Sequence, residues 1–119
     1  MSYVDGFLIP IPKKNVKAYQ AIARKASKIW QEYGCEAYFE TVLDDEKANG
    51  TVPFRKGVKL KPSDTLVLAW IVYKTKAQRD AVNKKIMKDP RLADMMKGKK
   101  MPFDMKTMMY GGFKVLVEQ

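Results

Sequence analysis

The sequence predicts an α+β protein of the ferredoxin-like βαββαβ type. Four antiparallel strands form one sheet, two helices lie on one of its faces, and two copies close a dimeric α+β barrel. Three observations predict this. Strand-like and helix-like apolar periodicities follow one another in the order β-α-β-β-α-β along the 119 residues. The third strand, "TLVLAWIVY", is apolar at nearly every position and so has two faces to bury. Two helices cover one face only, and a second copy of the chain is the economical cover for the other.

The elements follow in order. "YVDGFLIPI" (Tyr3 to Ile11) reads as the first strand, closed by Pro10 and Pro12. Asn15 offers an N-cap. Val16, Tyr19, Ile22, Ala26, Ile29, Trp30 and Tyr33 then recur at helical spacing, and Gly34 stops the helix. "EAYFETVL" (Glu36 to Leu43) alternates as a half-exposed strand. Residues 45–64 form a long connection, expected to be anchored by Phe54, Val58 and Leu60.

After the third strand, Thr75 and Gln78 make a capping-box signature. It opens a second helix with Ala81, Val82 and Ile86 inward. Asp89-Pro90 starts a short helix through Met96 that ends at Gly98. The last strand is expected from near Lys106 to Glu118. Gly111-Gly112 within it predicts a bulge, or a close approach by another backbone, where the sheet curls to close a barrel, or else a turn before a strand that begins at Phe113.

Length and composition bound the function. A chain of this size is read as one domain, residues 1–119, large enough to bury a core. It contains no histidine, which excludes His-ligated haem, His-containing zinc sites and Ser-His or Cys-His nucleophile pairs. We therefore expect no metal and no cofactor. The single cysteine, Cys35, allows no internal disulfide. The start lacks the order of a signal peptide, and no apolar run approaches the roughly 20 residues that span a bilayer. The reading is a cytoplasmic protein without a membrane partner.

A net charge of +10 raises an alternative, a nucleic-acid-associated protein using diffuse lysine charge. Nineteen of the 23 basic residues are lysine, the poorer fork for phosphate, and they are spread along the chain. Clusters at Lys13-Lys14-Lys17, Lys84-Lys85-Lys88 and Lys97-Lys99-Lys100 read as solvated faces. The third strand also lacks the basic-Gly-aromatic signature of an RNA-recognition motif. Nucleic acid is the weaker reading.

The stronger one is a pocket between sheet and helices for a small apolar or anionic molecule. Asp5 shares strand parity with Tyr3, Phe7 and Ile9 on a central strand, where a carboxylate must be paired or shift its pKa. Pairing, with a backbone donor or with a nearby cation such as Arg79, Lys106 or Lys114, is the favoured outcome. Glu40, with Tyr38 and Val42 on its parity, points to the same cavity or to solvent. Arg79 and Asn83, four apart on one helix face, could hold an anion or brace the helix against "MPFD". Trp70 and Tyr110 could floor an apolar pocket. If the protein is an enzyme, Asp5 or Glu40 is the candidate base and Tyr110 the candidate hydrogen-bond donor.

"YVDGF" (3–7), "WIVYKTKAQRDAVNKKIMKDPR" (70–91) and "MPFDMKTMMYGGF" (101–113) resemble the YbaA-like family of uncharacterised bacterial proteins. The resemblance spans nearly the whole chain. It implies a dimeric α+β barrel and no particular activity. Two positions depart from the family pattern. Asp104-Met105-Lys106 stands where members read Asp-Gly-Lys, which questions a turn that glycine permits. Tyr33 stands where some relatives carry histidine.

Overall fold

The first strand of the chain becomes the inner spine of the sheet. The computed structural model describes residues 2–47, 49–96 and 101–119. In it, β1 (Tyr3–Pro12) lies between β3 (Asp64–Tyr73) and β4 (Met109–Lys114), with β2 (Ala37–Val42) on the far side of β3. The order β2-β3-β1-β4 with all pairs antiparallel is the ferredoxin-like arrangement. α1 (Val16–Glu32) and α3 (Lys76–Ile86) are the two long helices; α2 (Phe54–Gly57) is a single turn and α4 (Pro90–Met96) a short helix.

Local chemistry explains the helix ends. Gly34, at φ +100°, closes α1 in a Schellman motif, with the amides of Gly34 and Cys35 donating to the carbonyls of Gln31 and Trp30. Thr75 Oγ1 accepts from the amide of Gln78, 3.0 Å away, at the start of α3. The Gln78 side chain accepts from the Lys74 amide at 2.6 Å and donates to the Gly34 carbonyl at 2.9 Å. The start of α3 is thereby tied to the end of α1.

Register decides the two faces, because residues directly opposite in an antiparallel ladder share a face. Val67, Ala69, Ile71 and Tyr73 of β3 lie under the helices and are buried. They pack with Ile9 and Ile11 of β1, Tyr19, Ala23 and Ile29 of α1, and Val82 and Ile86 of α3. The other face carries cross-sheet rows that include Ala37–Val72–Val4–Phe113, Phe39–Trp70–Gly6–Gly111 and Thr41–Leu68–Leu8–Met109. No helix covers it. Leu68 is 41% and Phe113 59% exposed there.

Several expectations are corrected. β4 is shorter than predicted, and both glycines pair in register: Gly111 opposite Gly6, Gly112 opposite Asp5. There is neither a bulge nor a turn. Gly112 of β4 and Gly6 of β1 make room for neighbouring rings. A Cβ on Gly112 would come within 3.0 Å of ring carbons of Tyr3, and one on Gly6 would meet the ring of Phe113 at the same distance. Side chains from adjacent positions lie flat over the strand pair.

Other departures are local. Asn15 sits at the N-cap of α1 but makes no capping bond; its side-chain amide donates instead to the Pro102 carbonyl, 2.9 Å away. Ala81 is exposed, whereas Ala23 of α1 is buried. Phe54 is exposed, and the long connection is held by Arg55, which donates to the carbonyls of Lys61 and Asp64 and pairs with Glu46. Met105 opens a 3₁₀ turn (Met105–Thr107) capped by Asp104, without a positive φ, so glycine is not needed. Gly98 and the Lys97-Lys99-Lys100 cluster lie outside the described residues.

Candidate functional site

Asp5 lies in the cross-sheet row Tyr38–Ile71–Asp5–Gly112 on the helix side and is only 1% exposed. Its Oδ1 accepts from Arg79 Nη1 at 2.6 Å and from the Tyr110 hydroxyl at 2.9 Å. Arg79 Nη1 also donates to the Tyr110 oxygen at 2.7 Å, closing a triangle. Arg79 Nε pairs with Asp80 at 2.7 Å, and the guanidinium stacks over the Tyr3 ring, 4.8 Å from its centroid. Burial alone would lower the Arg79 pKa, but the bonds to Asp80 and Asp5 outweigh it and hold it above the usual range. Burial, and then the bond to Asp5, push the Tyr110 hydroxyl up to about 12.

A second polar cluster sits at the opposite edge of the same face. Glu40 Oε1 accepts from Tyr19 at 2.7 Å and Oε2 from Tyr38 at 2.7 Å. Burial pushes the Glu40 carboxyl up, opposed by the two tyrosine bonds. Burial also raises both tyrosines, and the neighbouring carboxylate adds to the effect. Glu40 and Tyr110 lie in one row, Glu40–Ala69–Phe7–Tyr110, at its two ends. Three strand spacings separate them, roughly 14 Å. Glu40 is engaged by Tyr19 and Tyr38 and Tyr110 by Asp5 and Arg79, so the two do not meet.

Between the clusters runs a largely apolar cavity. A space of about 240 Å³ borders Asp5, Tyr110 and Asn83, and one of about 190 Å³ borders Glu40, Tyr19 and Tyr38. Phe7, Trp30, Ile71 and Leu92 line both, so the two adjoin. Met101, Phe103, Met105 and Met108 close the second from below, with Phe103 edge-on to Tyr19. A further space of about 380 Å³ continues past Glu40 along α1 to Arg24. The indole N–H of Trp30 is buried beside the Tyr73 hydroxyl, which it approaches without ordinary hydrogen-bond geometry.

The structure thus brings Asp5, Arg79, Asn83 and Tyr110 to one end of the cavity and sets Glu40 at the other. Trp70 is not with them. It lies on the uncovered face, stacked on Phe39 at 5.0 Å, and cannot floor a pocket with Tyr110. Arg79 braces α3 against β1 and β4 rather than against residues 101–104. Asn83 accepts a long bond, 3.5 Å, from the Tyr73 hydroxyl. Sequence reasoning missed Tyr19, Tyr38 and Trp30 as cavity residues. The shared parity of Tyr38 and Glu40, two apart on a strand, was the available signal.

Among the described residues no group of three or more Cys, Asp or Glu could hold a metal ion, and no helix is long and apolar enough to cross a membrane. The Cys35 thiol is raised by burial and by Glu36. Tyr33, the departure at the end of α1, donates its hydroxyl to Asp89 at 2.7 Å, and Arg91 holds the same carboxylate.

Comparison with known proteins places this arrangement. Residues 2–105 match the family model described as "Protein of unknown function (DUF1428)". The chain belongs to the DUF1428 family. It is 38% identical over 119 residues, the whole of both chains, to the uncharacterised protein YbaA of Escherichia coli strain K12. The same identity and coverage hold for YbaA of Shigella flexneri. Among solved structures it is similar to a dimeric ferredoxin-like protein from an uncultured marine organism, with a TM-score of 0.56 and 12% identity over 100% of both chains. At that identity the likeness shows the fold. The match to the DUF1428 model ends at residue 105, so Tyr110 and β4 lie beyond it, within the stretch shared with YbaA.

Proposed function

We propose that this DUF1428 protein is a homodimer that binds a small, largely apolar molecule in the cavity between its sheet and helices. The carrying observation is the cavity itself. Apolar side chains form most of its wall, and polar groups gather at its ends. A few placed polar groups in an apolar concavity are the usual make-up of a ligand site.

The dimer is supported by the uncovered sheet face. Phe39, Leu68, Met109 and Phe113 are exposed in adjacent rows of one surface, an arrangement that marks an interaction site. A solved protein of the same fold is described as dimeric.

Trp30 provides the test. The chain has two tryptophans, so Trp70→Phe leaves Trp30 as the only indole. Titration of that protein with octanol should change the Trp30 emission saturably. Emission that stays constant up to the solubility limit of octanol would refute the cavity reading. Light scattering should give twice the 13.7 kDa chain mass at micromolar concentration, and a stable monomer would refute the dimer.

A further inference from the structure

The charges at the two ends of the cavity are unequal in kind. At the Asp5 end the cation is already engaged: Arg79 lies between Asp5 and Asp80 and is stacked on Tyr3. Two carboxylates against one guanidinium leave Arg79 no spare positive charge for an anion. At the other end, Glu40 forms no ion pair among the described residues. Its partners are neutral hydroxyls that donate to it. Each carboxylate oxygen keeps further acceptor capacity, and so do the two phenol oxygens once their protons point at Glu40. What faces the cavity there is an acceptor-only surface.

We propose that the cavity selects a protonated amine: an apolar molecule whose ammonium group is held by Glu40, with the oxygens of Tyr19 and Tyr38 as additional acceptors. This rests on the cavity reading above and names the ligand class it takes. The surroundings favour it. Apolar walls strengthen a charge pair relative to water. Burial disfavours the Glu40 carboxylate, and an ammonium partner reverses that effect. Arg24, the cation that borders the outer space, is exposed on α1, where solvent and salt screen it.

The test compares three head groups on one chain length. Octylamine, octanol and octanoate are titrated at pH 7 against the Trp70→Phe protein, with Trp30 emission as the readout. Octylamine should bind at least about tenfold more tightly than octanoate, and Glu40→Gln should remove the difference. Octanoate binding as tightly as octylamine would overturn the proposal, as would a preference that survives Glu40→Gln. Octanol binding without an amine preference sinks only the head-group assignment. Failure of all three to bind sinks the cavity reading with it. If Glu40→Gln does not fold, the wild-type ranking of the three heads still decides the question.

Discussion

Arg79 Nη1 lies 2.6 Å from Asp5 Oδ1, joining the first turn of α3 to the start of β1 across 74 positions of sequence. The Asp5 side chain is 2% exposed and that of Arg79 12%. Removing one member of such a pair leaves its partner's charge uncompensated. Asp5→Asn keeps an acceptor but loses the charge, and should destabilise by on the order of 3 kcal/mol in urea denaturation at pH 7. A mutant as stable as the wild type would show that the pair contributes nothing net.

The two glycines of β4 should respond differently to alanine. Gly112→Ala drives a methyl group against the Tyr3 ring, which lies beneath Arg79, and should cost about 1–3 kcal/mol. Gly111→Ala meets the Phe113 ring no closer than 3.4 Å and should cost less. Combining Gly112→Ala with Tyr3→Ala should recover part of the loss, as a double-mutant cycle would measure. Equal effects of the two alanines would contradict the role of Tyr3.

Lysine substitutions on β3 separate the core from the uncovered face. Ile71 is 4% exposed and Leu68 is 41%. Ile71→Lys should prevent folding, as seen by circular dichroism. Leu68→Lys should leave the monomer folded and weaken self-association in sedimentation. Loss of fold in Leu68→Lys at every concentration would mean that its face serves the monomer.

Glu40 sets a pH dependence with a defined sign. Its folded pKa is raised, chiefly by burial, so the folded state holds the proton more tightly than the unfolded chain. Stability should therefore fall as pH rises from the ordinary Glu value, about 4.3, through the folded value. The groups facing it are the hydroxyls of Tyr19 and Tyr38, which stay protonated across this window. Glu40→Gln should gain on the wild type as pH is raised from 4 to 8. Parallel denaturation midpoints for the two proteins would exclude the effect.

Asp89 should show the opposite sign. The Arg91 side chain first, and then Tyr33, hold its carboxyl well below the usual range. Its stabilising contribution is present above the ordinary Asp value, about 3.9, and is lost as pH falls through the depressed folded value. Asp89→Asn should be less stable than the wild type at pH 7, and the two should converge in strong acid. A constant difference between pH 7 and pH 2 would argue against the ion pair as the cause.

The candidate site was legible only in part. That Asp5 needed a partner followed from a carboxylate at an inward position of a central strand, and Arg79 was among the cations on offer. That Glu40 belonged to a different cluster did not follow. Its partners Tyr19 and Tyr38 read as ordinary apolar-face residues, because periodicity places a side chain on a face and says nothing of what stands opposite. Trp70 shows the same limit. Its strand was recognised, but nothing local distinguishes the covered face of β3 from the open one when both are apolar.

The sequence by itself determined the order of strands and helices, the parity of each strand, the caps at Gly34 and Thr75, and the exclusion of histidine chemistry. Those properties depend on residue spacing and on backbone preferences within a few positions. Only the tertiary structure decided which parity of β3 the helices cover, that Gly6 and Gly112 make room for the rings of Phe113 and Tyr3, and that Glu40 and Tyr110 stand at opposite ends of one row. Each of these is fixed by register and packing between segments tens of residues apart, where local preference is indifferent and the fit of side chains across the sheet makes the choice.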